Sequence, residues 1–242
     1  MRLIFPGTKG EIEEQSPKHR FHSSLIVEYL NTRILIDLGE KYSTSLEKKI
    51  NSFDALLITH ANPDHYIWNL REENRVKIPV YLTKATLEYS QNKPLNTNLI
   101  EDGRQFVVKD LKVTPFNVIH SLRCPAICFK IEGDRAVLYA PDILDTEQPK
   151  KVVFSGVSIL IADGSSIDVN LVRRRDDKLF GHAMIKTIIN WCRKYNINEL
   201  IITHCGKQVV TGDEKEIMNK IFKYAEIKIN IQIAYDGFKI DI

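Results

Sequence analysis

Residues 59–65 read Thr-His-Ala-Asn-Pro-Asp-His, directly after the apolar run Ala-Leu-Leu-Ile at 55–58. A short Leu/Ile run of this kind reads as a buried strand. The loop behind it carries two imidazoles and a carboxylate, His60, Asp64 and His65, that can converge on one metal ion. Pro63 stiffens the loop by fixing its backbone angle. The plain alternative is a loop that is merely polar. A His-x-x-x-Asp-His cluster at the end of a buried strand argues against it.

Working outward, the same punctuation recurs. The apolar run 34–36 stops at Asp37, 116–119 at His120, 137–140 close to Asp142, and 200–203 at His204. Strand ends on one edge of a sandwich gather ligands from distant sequence, while loops leave room for substrate. Strands are predicted over 24–30, 33–37, 55–59, 79–82, 111–118, 127–132, 136–139, 158–162, 200–203 and 231–234. Helices are predicted over 43–50, 84–91, 183–194 and 213–225. In the third of these Ile185, Ile188, Ile189 and Cys192 share one face. The first half is strand-dominated and the last third alternates helix and strand. Two mixed halves of this kind fit a layered sandwich with helices outside.

The 242 residues suit one large domain or two small ones, and no Ser/Gly/Pro-rich linker divides them. Lys and Arg number 34 against 31 Asp and Glu, so the small excess announces no nucleic-acid protein and excludes none. The apolar stretch at the N-terminus is too short for a signal-peptide core, and no run approaches the roughly 18 apolar residues of a membrane helix. A cytoplasmic protein with no membrane partner is therefore expected. Cys124, Cys128, Cys192 and Cys205 read as reduced, buried small hydrophobes. The spacing of Cys124 and Cys128 occurs in zinc sites, but no second pair completes one.

With these residues in place, the sequence resembles the metallo-β-lactamase superfamily. Residues 59–65 resemble its His-x-His-x-Asp-His signature, and three further motifs follow in family order, Val-Ile-His-Ser at 118–121, Leu-Tyr-Ala-Pro-Asp at 138–142 and Ile-Thr-His-Cys-Gly at 202–206. Ile-Leu-Ile-Asp-Leu-Gly at 34–39 precedes them and looks like part of the family's N-terminal sheet. Gly-Thr-Lys-Gly at 7–10 and His-Arg-Phe-His at 19–22 look like the start of the family's N-terminal sheet. Phe-Gly-His-Ala at 180–183 and Ala-Tyr-Asp-Gly at 234–237 are similar to the branch of tRNase Z and the PhnP-type phosphodiesterases. The resemblance implies an α+β fold, the αββα sandwich, over residues 1–242 as a single domain.

It also implies two metal subsites. One is held by His60, His120 and Asp142, the other by Asp64, His65, Asp142 and His204, with Asp142 bridging. Asn62 stands where the family signature has a second His. An amide oxygen is a much weaker zinc donor than imidazole. Three readings follow: a weak first subsite or one taking Mn²⁺ or Mg²⁺, a one-metal protein, or a fold that has lost catalysis. The cofactor implied is Zn²⁺, one ion or two.

The reaction implied is hydrolysis of a phosphodiester by a metal-activated water. Asp64 is the candidate for ligand and orienting base. His182 is the candidate proton donor or phosphate clamp, placed at the start of the helix 183–194, where anions are favoured. A capping or surface role is its plain alternative. His19 and His22 either line the pocket rim or are solvated. Asp37 is read as ordering the ligands, Asp163 and Asp236 as turn or supporting residues. Arg173, Arg174 and Arg175 are read as a solvated loop, or as a phosphate grip weakened by Asp176 and Asp177. No tRNA-gripping insertion is visible. The partners implied are a small phosphodiester or a short nucleic acid, and a second copy of the chain in a homodimer. The competing class is a non-catalytic binding module with a degraded first subsite, and a closed structural-zinc site is a third reading.

Overall fold

The computed structural model describes residues 1–225 and 229–242. Six strands come first: β1 (Arg2–Gly7), β2 (Ser24–Tyr29), β3 (Thr32–Ile36), β4 (Ala55–Leu57), β5 (Val80–Thr83) and β6 (Thr97–Ile100). Among them lie α1 (Thr44–Lys49) and α2 (Lys84–Tyr89). Next come β7 (Phe106–Val108), β8 (Leu111–Ile119), β9 (Ala126–Glu132), β10 (Ala136–Ala140), β11 (Asp145–Thr146), α3 (Lys150–Val153) and β12 (Ile159–Asp163). A hairpin of β13 (Arg173–Arg175) and β14 (Lys178–Phe180) precedes α4 (Ile185–Lys194) and β15 (Glu199–Thr203). The chain closes with α5 (Lys207–Thr211), α6 (Glu214–Phe222), β16 (Asn230–Ile233) and β17 (Phe238–Asp241).

The strands form two mixed sheets. The first is ordered β17-β1-β2-β3-β4-β5-β6 and the second β11-β8-β9-β10-β12-β15-β16, with β7 also on β8. In each sheet one part is antiparallel and the other parallel, the change falling at β3–β4 and at β10–β12. The hairpin β13–β14 belongs to neither sheet.

Side-chain alternation along the strands turns two sheets into three apolar layers. Ile34 and Ile36 point into the layer between the sheets, with Phe5, Val27, Phe129, Val137 and Ile161. Leu35, between them, points outward under Leu46 of α1. On the other sheet Leu138, Leu160 and Leu200 face out against Ile185, Ile188 and Ile189 of α4. Both faces of the parallel strands are thus covered, which explains why they read as unbroken apolar runs. The result is the α+β sandwich expected from the sequence.

All ten expected strands and four expected helices are present within a few residues. One boundary matters. The helix expected from 183 begins at Ile185, with Met184 as N-cap. Ala183 N–H donates to Ile143 O and Ile185 N–H to Ser166 O, which holds the preceding segment out of the helix. His182 therefore does not open the helix, and the anion-friendly helix start proposed for it is corrected. The strands not expected are β1, β6, β7, β11, β13, β14 and β17, and all but β1 have four residues or fewer. β1 also carries Pro6, where its register with β2 shifts.

Six polar residues end up on one rim. Asp37 follows β3, His60 follows β4, His120 follows β8, Asp142 follows β10, Asp163 ends β12 and His204 follows β15. β8 is separated from β10 by two antiparallel steps, so it runs parallel to β10, β12 and β15. Their carboxyl ends consequently share an edge.

Candidate metal centre

Asp37 organises the loop from below. It takes a left-handed φ of 60°, and its carboxylate accepts from Thr59 N–H at 2.8 Å and from Thr59 Oγ1 at 2.9 Å. Its Oδ2 also accepts from His65 Nδ1 at 2.7 Å. The sequence reading of Asp37 as an ordering residue agrees with this. Because the Thr59 hydroxyl hydrogen goes to Asp37, Thr59 Oγ1 accepts from His60 Nδ1 at 3.0 Å. His120 Nδ1 donates to Gly181 O at 3.2 Å. His204 Nδ1 lies 3.1 Å from Ser165 Oγ.

In each of the four rings Nδ1 is tied back and Nε2 is left pointing inward. This is the arrangement of imidazoles that ligate a metal. The inward atoms gather around Asp142. Its Oδ2 is 2.7 Å from His65 Nε2, 3.3 Å from His204 Nε2 and 4.0 Å from His60 Nε2. Its Oδ1 is 3.7 Å from His120 Nε2. Asp64 Oδ2 lies 3.0 Å from His204 Nε2 and 3.2 Å from His65 Nε2.

Three ligand groups emerge among the described residues, one of which joins Asp163 and His182 to Asp142 and His204, while the other two hold the residues expected from the sequence. Asp64, His65, Asp142 and His204 form one of these two, and His60, His120 and Asp142 the other, with Asp142 common to both. The residues fit a metal for a specific reason. His60 Nε2, His65 Nε2, Asp64 Oδ1 and Asp142 Oδ2 are buried without a hydrogen-bond partner. Burying such atoms unpaired is costly, and a cation satisfies all of them together.

The electrostatics agree. Burial pushes His60 and His120 below the ordinary imidazole range, leaving their lone pairs free. Burial works the same way on His204, but the Asp142 carboxylate and its neighbours overcome it and push His204 up to about 10. His65 is likewise raised against burial, by Asp64, Asp37 and Asp142. The carboxylates create a field that demands positive charge, and metal binding displaces such protons.

Asn62 is half-buried and lines the cavity above these ligands. Its backbone carbonyl accepts from His65 N–H and Tyr66 N–H at 2.9 and 2.8 Å. The group nearest it in the motif has three ligand-type side chains against four in the other. His182 is 23% exposed, and its Nδ1 sits 2.7 Å from Asp163 Oδ2 and 3.4 Å from Asp142 Oδ1. Burial lowers its pKa, but the Asp163 carboxylate outweighs burial and the net shift is upward.

The centre lies at the floor of a cavity of about 560 Å³. Asp64, His120, Asp142, His182 and His204 open onto it, and Arg173 and Lys207 line it as well. The cavity leaves the ligand group accessible, unlike the closed site of a structural zinc. Two further expectations need correction. His19 and His22 are buried, so they are not solvated, and neither lines this cavity. Arg173, Arg174 and Arg175 form a strand of a hairpin instead of a loop. Cys124 and Cys128 belong to separate apolar clusters, as their reading as small hydrophobes expects. Cys124 also accepts from Ala61 N–H, bracing the metal loop. Ser165, which touches both His182 and His204, was missed, because a Ser pair after Asp-Gly reads as a turn and carries no signal of its own in the sequence.

Fold and candidate ligand set together define a two-sheet sandwich with a potential metal centre on one rim. Residues 32–205 match the family model described as Beta-lactamase superfamily domain, and the chain belongs to this superfamily. It is 27% identical over 143 residues to ribonuclease Z of Methanopyrus kandleri, covering 54% of this chain and 50% of that protein. The chain thus spans about half the length of the curated relative it matches. Among solved structures, Zn²⁺-bound PqqB from Methylobacterium extorquens superposes with a TM-score of 0.72 at 15% identity, over 100% of both chains. A diphosphatase of the PhnP family gives 0.67 at 18% identity, over 100% of this chain and 97% of that one. At these identities the two structures bear on the fold alone. No described helix is long and apolar enough to cross a membrane.

Proposed function

We propose that the protein is a metal-dependent phosphodiesterase whose ligands are His60, Asn62, Asp64, His65, His120, Asp142 and His204. The observation that carries this reading is the set of buried, unpartnered donor atoms around Asp142 at the floor of an open cavity. A mixed imidazole and carboxylate set suits Zn²⁺, one ion or two. Mn²⁺ or Mg²⁺ suits the first subsite, where Asn62 offers oxygen. When bound, such ions lower the pKa of a coordinated water and neutralise the charge of a phosphoryl oxygen.

The chain's own groups do the rest. Asp64 orients the attacking water through its otherwise unpartnered Oδ1. His182, kept protonated by Asp163, delivers a proton to the leaving oxygen. Arg173 and Lys207 supply positive charge on the cavity wall, which favours an anionic ester over a lactam or thioester. The names of the similar proteins, a ribonuclease and a diphosphatase, support the same substrate class. Continuous apolar packing between the sheets supports reading residues 1–242 as one domain.

The test is hydrolysis of bis(p-nitrophenyl) phosphate by metal-loaded protein, with bound metal counted by elemental analysis. Turnover that chelator abolishes and that is lost in the folded Asp64→Ala and His65→Ala variants is expected. A fully loaded protein without turnover on any phosphodiester would favour the second reading. In that reading Asn62 marks a mononuclear or non-catalytic binding protein.

A further inference from the structure

The hairpin β13–β14 stands apart from both sheets, yet it is rooted at the centre. Gly181 N–H donates to His120 O at 2.7 Å, and His120 Nδ1 donates back to Gly181 O. Gly181 has a φ of +120°, and a Cβ there would lie 2.2 Å from Leu171 O, so the two legs of the arm touch at its base. The arm is therefore held in a fixed relation to His120.

Its register sorts the side chains. Arg173 pairs with Phe180, Arg174 with Leu179 and Arg175 with Lys178. Alternation puts Arg173, Phe180, Arg175 and Lys178 on one face, and Arg174 with Leu179 on the other. Arg173 and Phe180 line the cavity, so the first of these faces is the cavity side. Arg175 and Lys178 are exposed and directly opposed. Like charges in opposed positions destabilise a hairpin. Asp176 and Asp177 make the turn but form no ion pair with either cation among the described residues. Asp176 and Asp177 offset the charge of the pair through space, but no described carboxylate lies within ion-pair distance of either cation, so both head groups stay available to an anionic ligand.

We propose that the cavity side of this hairpin is a subsite for the strand beyond the scissile bond, and that the substrate is a single-stranded oligonucleotide. The inference rests on the phosphodiesterase reading above. The guanidinium of Arg173 grips a phosphate beside the cavity while Phe180 offers its ring to the adjacent base. Arg175 and Lys178, one rung further out at roughly 6.4–6.8 Å along the strand, hold the next phosphate. A cyclic or single phosphodiester does not reach that second rung.

Binding of a fluorescein-labelled, hydrolysis-resistant phosphorothioate single strand of about ten nucleotides to the metal-loaded protein tests this by anisotropy. Arg175→Gln with Lys178→Gln is expected to weaken binding ~10-fold and to reduce the slope of log affinity against log salt by about 1.4. Arg174→Gln, on the opposite face, is expected to bind like the wild type. Equal losses in both variants, no loss in either, or no binding by the wild type would overturn the subsite. Inorganic polyphosphate has charge but no bases, and tighter binding of it than of the probe would overturn the assignment to nucleic acid. Because the readout is binding, a wild type that holds the probe yet hydrolyses no phosphodiester would count against the catalytic reading alone.

Discussion

His65 Nε2 lies 2.7 Å from Asp142 Oδ2, yet both atoms lack a hydrogen bond. They are close because both aim at a common point, not at each other. Asp37 fixes this aim by accepting from the other nitrogen of the ring. Asp37→Asn is expected to lower metal affinity about 10–100-fold. Titration against a chromophoric chelator measures it, and an unchanged affinity would show that Asp37 serves the fold alone.

Asn62 lines the cavity onto which His120 and Asp142 of the three-ligand group also open. Replacing its amide with imidazole supplies a stronger zinc donor. Asn62→His is expected to raise affinity for a second zinc. An unaltered calorimetric isotherm would place residue 62 outside the coordination sphere.

His182 is held by Asp163 at 2.7 Å. A proton donor matters most when the leaving group is poor. His182→Gln should cut kcat by about 10²–10⁴ for an alkyl ester and far less for a p-nitrophenyl ester. A uniform loss on both esters would instead indicate a binding role.

His22 is buried, and burial lowers its pKa from 6.5 to about 3. Its folded value is below its unfolded value, so its stabilising contribution is complete above about 6.5 and falls as pH drops toward 3. Between pH 7 and 5 the loss is about 2 kcal/mol. Urea unfolding in chelator should show the wild type losing that much more than His22→Gln, and parallel losses would refute the assignment.

Burial also raises the thiols, Cys124 to about 11 and both Cys128 and Cys192 to about 12. Thiolate, the reactive form, is scarce at neutral pH. A disulfide reagent at pH 7.5 is expected to leave all four cysteines unmodified until the protein unfolds. Fast labelling of the native protein would contradict their burial.

The fold was legible because its evidence is local. Ile34 to Ile36, or Leu200 to Thr203, are runs whose composition marks a strand wherever they sit, and each ends at a polar residue. The candidate ligands His60, His120, Asp142 and His204 could be picked out from those endings and Asp64 and His65 from the loop after His60, and the structure brings all six together. What sequence alone determined was therefore the apolar periodicity, the strand ends and the types of donor placed there. Tertiary structure decided the rest. Asp163 reaches His182 only because the segment before α4 is pinned to His120 and Ile143, and Ser165 reaches His204 across 39 positions. The start of α4 was set by hydrogen bonds to Ile143 and Ser166, which outweighed the helical pattern. The burial of His19 and His22, and the pairing of Arg175 with Lys178, also depend on which backbone comes alongside. Local pattern encodes which face of an element is apolar, but contacts between distant segments, and the pKa values they impose, exist only once the sheets have packed.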